Sequence, residues 1–218
     1  MKKVLILEGS PRRSGNSTIL SDEFARGAEE AGCSVEKLRV AGKKISGCLG
    51  CNACYRNGGV CIQRDDMEEV RNKMLTADVI VLASPIYFYS MTSQMKAVID
   101  RTYAFYQQLE GKTFYFIISC GATDASYTET MLAALRGFTC CLPNAKEGGA
   151  VLGISAMEAG EIRLNELFRF VEEGEVNGKV CGKLEQVGIL QHKEKLYRAG
   201  FTEAQLTGEK DGLSCISL

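Results

Sequence analysis

Short uninterrupted apolar runs alternate along this chain with longer stretches in which apolar residues recur every three or four positions. Residues 4–7 (Val-Leu-Ile-Leu) form the first run, the pattern of a parallel strand buried on both faces. From about residue 17 to 31, Ile19, Leu20, Phe24 and Ala28 keep helical spacing, and Gly32 is a natural stop. Residues 35–40 alternate like a strand. Asp65 and Asp66 open a second helix, their charges suited to its dipole, with Met67, Val70, Met74 and Leu75 as its apolar face. The same periods predict a third strand over 78–83, a long helix over 92–108 and a fourth strand over 113–119. A helix over 127–138, a fifth strand over 145–152 and a closing helix over 158–172 complete the series. Strand and helix in alternation predict a parallel sheet covered by helices on both faces, with right-handed crossovers. The expected fold class is therefore α/β, a three-layer sandwich whose five strands fit the order 2-1-3-4-5. Beyond Gly174 the pattern fades, so residues 1–175 read as one domain and 176–218 as a C-terminal extension rather than a second domain.

Composition adds little until the cysteines are counted. The 218 residues suffice for one such domain with a sizeable core, and 45% hydrophobic with 24% charged residues is ordinary for a globular protein. A formal net charge of -1 offers no field that would draw in nucleic acid or anionic lipid. No apolar run approaches the ~18 residues of a membrane span. The start, Met1-Lys2-Lys3 followed by four apolar residues, resembles the opening of a signal peptide, but the run falls short of the roughly 7–15 residues such a peptide needs. The expectation is a cytoplasmic protein. Ten cysteines are then unusual, and in a reducing compartment they serve as core residues, metal ligands or redox groups rather than staples.

In a doubly wound sheet the ligand sits at the carboxyl ends of the strands, which makes the loop after the first strand the prime site. Gly9-Ser10-Pro11-Arg12-Arg13-Ser14-Gly15-Asn16-Ser17-Thr18 combines small residues, hydroxyl and amide donors, two arginines and a helix N-terminus. Glycines let backbone approach an anion closely, the first turn of a helix offers free N–H groups, and an arginine adds a charge-assisted contact. The bland alternative is that Asn16, Ser17 and Thr18 only cap the helix. The spacing is neither that of a Rossmann dinucleotide site nor that of a P-loop. Gly9-Ser10-Pro11-Arg12 followed by Gly15-Asn16-Ser17-Thr18 resembles the NADPH-dependent FMN reductase family of flavodoxin-like proteins. That resemblance implies that Ser10, Arg12, Asn16, Ser17 and Thr18 contact the phosphate of FMN.

After the third strand comes Ser84-Pro85-Ile86-Tyr87-Phe88-Tyr89-Ser90-Met91. Pro85 stiffens a turn, and the aromatic and apolar residues make a surface with backbone amides free to face a ring. Aromatics packed into the core or an interface would explain the same residues. The resemblance assigns Pro85, Ile86, Tyr87 and Phe88 to the flavin ring, and the helix that follows, Met95 to Arg101, is also similar to the family's. Asp100 and Arg101 read as structural ions. A third loop, Ser119-Cys120-Gly121-Ala122-Thr123-Asp124, follows the fourth strand and is expected to meet the flavin from the other side through Ser119 and Gly121; an ordinary strand-to-helix turn fits it equally well.

Cys48, Cys51, Cys54 and Cys61 read C-x2-C-x2-C-x6-C. Three thiols at that spacing in a glycine-containing loop match the first part of a ferredoxin-type run, and four soft ligands suit a [4Fe–4S] centre. Zinc is disfavoured because Cys51 is shared by two overlapping C-x2-C pairs. The segment also resembles the iron–sulfur flavoproteins, a branch of the same superfamily that holds a [4Fe–4S] cluster near FMN. Thiols that pack the loop or form a redox pair remain the alternative. Cys33, Cys120, Cys140, Cys141, Cys181 and Cys215 lack ligand spacing and read as buried or incidental thiols, and His192 as a surface residue.

The expected function is that of an FMN-dependent oxidoreductase, either an NAD(P)H-dependent FMN or quinone-type reductase or an iron–sulfur flavoprotein. Electrons pass through FMN to a small acceptor, and no side chain need act as acid or base. NAD(P)H is the expected donor, with a ferredoxin-like partner if the cysteines hold a cluster. The family resemblance implies a homodimer or homotetramer. The rival is a non-catalytic flavin-binding module that senses redox state through its thiols.

Overall fold

The structure is a computed structural model and describes residues 1–162 together with Glu175–Val176 and Lys179–Val180. The rest of the expected closing helix, the bulk of the extension, His192, Cys181 and Cys215 lie outside the described residues.

Five parallel strands run β1 (Lys3–Glu8), β2 (Ser34–Arg39), β3 (Val79–Pro85), β4 (Thr113–Ser119) and β5 (Lys146–Gly153), ordered β2-β1-β3-β4-β5 as expected. The crossovers are carried by α1 (Asn16–Glu30), a one-turn α2 (Ala53–Arg56), α3 (Met67–Thr76), α4 (Ser93–Arg101) and α5 (Glu129–Cys140). Glu175–Val176 and Lys179–Val180 pair as a separate antiparallel ladder, β6 and β7.

Because successive strand residues face opposite sides, each strand feeds two cores. Leu5, Leu7, Ile80, Leu82, Phe114, Phe116 and Ile118 point to the side packed by α3, α4 and α5. Val4, Ile6, Val79, Val81, Tyr115 and Ile117 point to the side packed by Ile19, Leu20, Phe24 and Ala28 of α1. Both faces being covered explains the unbroken apolar runs of β1, β3 and β4. Edge strand β2 is largely exposed and correspondingly polar. Among the described residues, no helix is long and apolar enough to cross a membrane.

The structure departs from the expected elements in one place that matters. The helix predicted to reach residue 108 ends at Arg101. It continues as two 3-10 turns, Thr102–Ala104 and Tyr106–Gln108, separated by Phe105 at φ -141°. Hydrogen bonds here close after three residues, Gln108 N to Phe105 O at 2.8 Å and Leu109 N to Tyr106 O at 3.1 Å. The tighter winding sends both Phe105 and Leu109 into the core. It also leaves the Ala104 carbonyl facing the cysteine segment, so near that a Cβ on Gly59 would lie 2.8 Å from it.

Phe116 is fully buried in central β4. Phe116→Ala should therefore cost about 3–5 kcal/mol, read as a lower denaturant midpoint at unchanged slope.

Candidate functional site

The loop after β1 is held in shape before any ligand arrives. Gly9 donates its N–H to Ala83 O (2.8 Å), and a Cβ there would sit 2.9 Å from Thr92 Oγ1 and 3.0 Å from Met95 Cβ. Thr92 caps α4 by accepting from Met95 N (3.3 Å) and donates its hydroxyl to Gly9 O (2.8 Å). One buried threonine thus ties the loop after β1 to the helix after β3. Its signal was available in the sequence, since a threonine just before a helical run is a capping pattern. Ser10 Oγ accepts from Arg12 N (3.2 Å), and a Cβ on Gly15 would fall 2.7 Å from that oxygen.

Helix α1 starts at Asn16 with Gly15 as its cap, and no side chain caps it. The reading of Asn16, Ser17 and Thr18 as mere capping residues therefore does not describe this turn. The N–H groups of Thr18 and Ile19 both return to Gly15 O (3.0 and 3.1 Å). Ser17 is 1% exposed, and its Oγ has no hydrogen-bond partner among the described residues. Its hydroxyl, the α1 N-terminus and the exposed Arg12 and Arg13 belong to one turn. Asn16 is used differently. Its Nδ2 donates to Ala156 O and Glu158 O, both at 2.9 Å, while Oδ1 accepts from Gly160 N (3.0 Å) and Ile162 N (3.2 Å). That fills the amide's hydrogen-bonding capacity, so the Asn16 side chain is committed to this segment and only its backbone is left at the helix end.

The segment these bonds hold, residues 154–162, straps across the strand ends and was not legible in the sequence. Arg12 Nη1 donates to Met157 O (3.2 Å), and Glu161 accepts from the amides of Met157 (2.7 Å) and Glu158 (2.9 Å). The strap meets the third loop as well: Ala156 N donates to Cys120 O (3.0 Å) and Ser155 N to Ala122 O (2.8 Å). A Cβ on Gly121 would lie 2.7 Å from Met157 Cε, so a side chain here would push the exposed end of Met157 aside. Ser119 is buried, and its carbonyl accepts from Ile86 N (2.8 Å), joining the third loop to the second.

The second loop carries strain. Tyr87 and Ser90 exchange backbone hydrogen bonds (2.8 and 3.2 Å) around Phe88 (φ 47°) and Tyr89 (φ 63°). Two successive left-handed residues make a turn that ordinarily takes Asn or Gly, and each bulky residue there costs about 1–3 kcal/mol. Core packing does not account for these aromatics. Tyr87 and Tyr89 are about half exposed and Phe88 wholly so, while Tyr89 stacks on Tyr127 with centroids 5.8 Å apart. Ile86, by contrast, packs on the core. Pro85 is anchored by Ser84, whose hydroxyl donates to Pro85 O (2.9 Å) and accepts from Thr92 N (3.1 Å).

The cysteine segment emerges from a short ladder between residues 44–47 and 63–66. Lys44 N donates to Asp66 Oδ2 (2.7 Å), Asp66 N to Lys44 O (3.1 Å), Ser46 N to Asp65 Oδ2 (3.0 Å) and Gln63 Nε2 to Gly47 O (3.1 Å). Arg101 locks it, gripping both oxygens of Asp65 at 2.8 and 3.1 Å. Above the ladder, Cys48, Cys51, Cys54 and Cys61 all line one cavity of about 390 Å³, with Asp100 and Tyr103 from the α4 side. Left-handed Gly50 and Asn52 wrap the chain around it, and Gly50 N donates to Cys48 Sγ at 3.5 Å. All four are free thiols, Cys48 and Cys51 exposed. Among the described residues, no three His, Cys, Asp or Glu side chains converge as ligands of a single metal ion. Of the other cysteines, Cys120 and Cys141 are free thiols, whereas Cys33 and Cys140 are not. Burial pushes the Cys120 thiol up, which keeps it protonated.

Burial opposes the charge on Asp65, but the hydrogen bond from Arg101 and those from the amides of Ser46 and Met67 outweigh it and hold the carboxyl below its ordinary value. A depressed carboxylate contributes stability above its unfolded pKa of about 3.9, lost as pH falls through the lower folded value. Wild type should lose stability below about pH 4. Asp65→Asn, less stable at neutral pH, should lose less across the same window, measured as urea midpoints.

The profile of the NADPH-dependent FMN reductase family matches residues 2–143. An iron–sulfur flavoprotein of Archaeoglobus fulgidus is 43% identical over 114 residues, 51% of this chain and 51% of that one. An iron–sulfur flavoprotein of Methanocaldococcus jannaschii is 40% identical over 100 residues, 46% and 51% of the two chains. The chain thus spans about half the length of the curated relatives it matches. Among solved structures, RosB with bound 8-demethyl-8-formylriboflavin-5'-phosphate superposes with a TM-score of 0.60 at 19% identity, covering 76% of this chain and 70% of that one. That likeness establishes the flavodoxin-like fold. With the profile covering well over half of its residues, the chain belongs to the NADPH-dependent FMN reductase family.

Proposed function

We propose that the protein is an FMN-dependent oxidoreductase of the iron–sulfur flavoprotein kind. The observation that carries the flavin is the buried Ser17 hydroxyl, which lacks a partner at an uncapped helix N-terminus. A buried polar atom without a partner is costly, and a phosphate oxygen at this turn would satisfy it together with the first-turn amides. Ser10, Ser17 and Thr18, the Asn16 backbone and the Arg12 charge are the residues that would hold the FMN phosphate. Residues Pro85, Ile86, Tyr87 and Phe88 would border the ring, with Ser119 and Gly121 on its other side. The exposed, strained aromatic turn supports this, because strain of that kind concentrates at binding sites. FMN supplies the hydride and electron chemistry when bound.

The four cysteines fit a [4Fe–4S] group better than a single ion. A cubane spreads its thiolates around its corners, as the four sulfurs spread around one cavity, and an amide already donates to Cys48. The names of the relatives point the same way. Such a group supplies one-electron transfer, and the exposure of Cys48 and Cys51 suits a ferredoxin-like carrier at the surface. On the flavin side NAD(P)H or a small acceptor would reach the ring past Tyr87 and Phe88. A homodimer or homotetramer is the assembly that the resemblance to the family implies.

Purified anaerobically and given FMN, the protein should bind flavin, carry about four irons, and bleach with NAD(P)H or reduced ferredoxin. A flavin that binds but stays oxidised with every donor would instead favour the redox-sensing module, and failure to bind FMN would defeat both. Ser17→Ala should weaken FMN binding at least tenfold, about 1.4 kcal/mol, in a fluorescence titration.

A further inference from the structure

We propose that Arg101 is a positioning residue for the cysteine site: it clamps both stems of the loop and turns its remaining donor edge to the sulfur of Cys61. This rests on the reading that the four cysteines hold an iron–sulfur cluster.

Arg101 is the last residue of α4, and its side chain is 1% exposed. Nη1 donates to Ser46 O (2.9 Å), two residues before Cys48, and to Asp65 Oδ2 (2.8 Å), four residues after Cys61. Nη2 donates to Asp65 Oδ1 (3.1 Å). One planar group therefore sets the separation of the two chain ends from which the cysteine loop springs. Its Nε is buried with no hydrogen-bond partner among the described residues. An N–H left bare inside a protein calls for an acceptor, and thiolate sulfur is one. Cys61 stands on the stem that the guanidinium grips, four residues before Asp65, and lines the cavity beside Asp100. The neighbouring Asp100 and the nearby Tyr103 line the cavity itself, which puts the root of the Arg101 side chain at its wall.

Two consequences separate this role from that of an ordinary buried ion pair. Residues that orient ligands from behind govern how firmly the ligands hold, and charges beside a cluster govern its potential. Arg101→Gln removes a cation and leaves the Asp65 carboxylate uncompensated, which disfavours the added electron. Asp65→Asn removes the anion and leaves the guanidinium.

The experiment is anaerobic reconstitution of the full chain with iron and sulfide, followed by iron release to a chelator and a redox titration of the cluster's electron paramagnetic resonance signal. Arg101→Gln should release iron about tenfold faster or more and shift the midpoint to more negative potential. Asp65→Asn should also release iron faster yet shift the midpoint to more positive potential. Arg101→Lys, which keeps the charge without the fork and guards against a misfolded glutamine variant, should hold a midpoint near wild type while releasing iron faster. The flavin's own potential should stay unchanged in all three. Variants that match wild type in both midpoint and release rate, or midpoints that move in the same direction for Arg101→Gln and Asp65→Asn, would overturn the inference alone. A wild-type protein that takes up no cluster overturns the cluster reading and this inference with it.

Discussion

A parallel sheet with both faces covered by its crossovers must turn its chain at the two ends of the strands, every loop that leaves a strand lying at the carboxyl end. In this chain that constraint brings the loops after β1, β3 and β4 and the strap after β5 to a single rim. The order β2-β1-β3 makes β1 and β3 neighbours whose chains turn away from each other, and the opening between them is where such folds take ligands. The hydrogen bond from Gly9 N to Ala83 O marks the last point at which the two strands still touch. Beyond it the loop after β1 turns into α1 and the aromatic loop turns toward α4.

What turns that rim into a rigid site is a small set of buried polar side chains reaching far along the chain. Thr92 grips the Gly9 carbonyl while capping α4, and Asn16 grips four backbone groups of the strap while starting α1. Arg101 grips both stems of the cysteine segment. Each joins a helix end to a loop that the sheet alone would leave loose. Each is also fully used by the protein except at one atom, the Nε of Arg101. Ser17 Oγ is likewise buried without a partner, as are Glu8 Oε1, Arg39 Nε and Arg71 Nε among the described residues. A buried donor without a partner calls for an acceptor, and Ser17 Oγ and Arg101 Nε each lie at a candidate site.

The aromatic turn at Phe88 and Tyr89 shows the opposite economy. Two left-handed bulky residues are unfavourable locally, and the turn persists because its surroundings over-determine it. The Tyr87–Ser90 pair closes it, Ile86 N is bonded to Ser119 O, and Tyr89 rests on Tyr127. The chain belongs to the NADPH-dependent FMN reductase family, and the strain lies where the proposed ring would be bordered.

The sequence by itself determined the features that are local. Unbroken apolar runs gave β1, β3 and β4 because both faces of each are buried, alternation gave the edge strand β2, and all five strands appear within a residue or two of expectation. Glycine, hydroxyl and arginine positions marked the loop from Gly9 to Thr18, and thiol spacing marked Cys48 to Cys61, since those signals depend only on neighbours in the chain. Tertiary structure decided the rest. The Asn16 side chain turned to a strap some 140 residues away, a pairing no periodicity encodes. The helix after β3 stopped at Arg101 because the chain beyond it had to carry Phe105 and Leu109 inward and meet Gly59. Asp65 read as a helix-opening acid and Arg101 as a structural ion, and only folding joined them, 36 positions apart, as the clamp on the cysteine loop. Spacing along a chain reports which groups can share a face; which buried donor finds which distant acceptor is settled by packing.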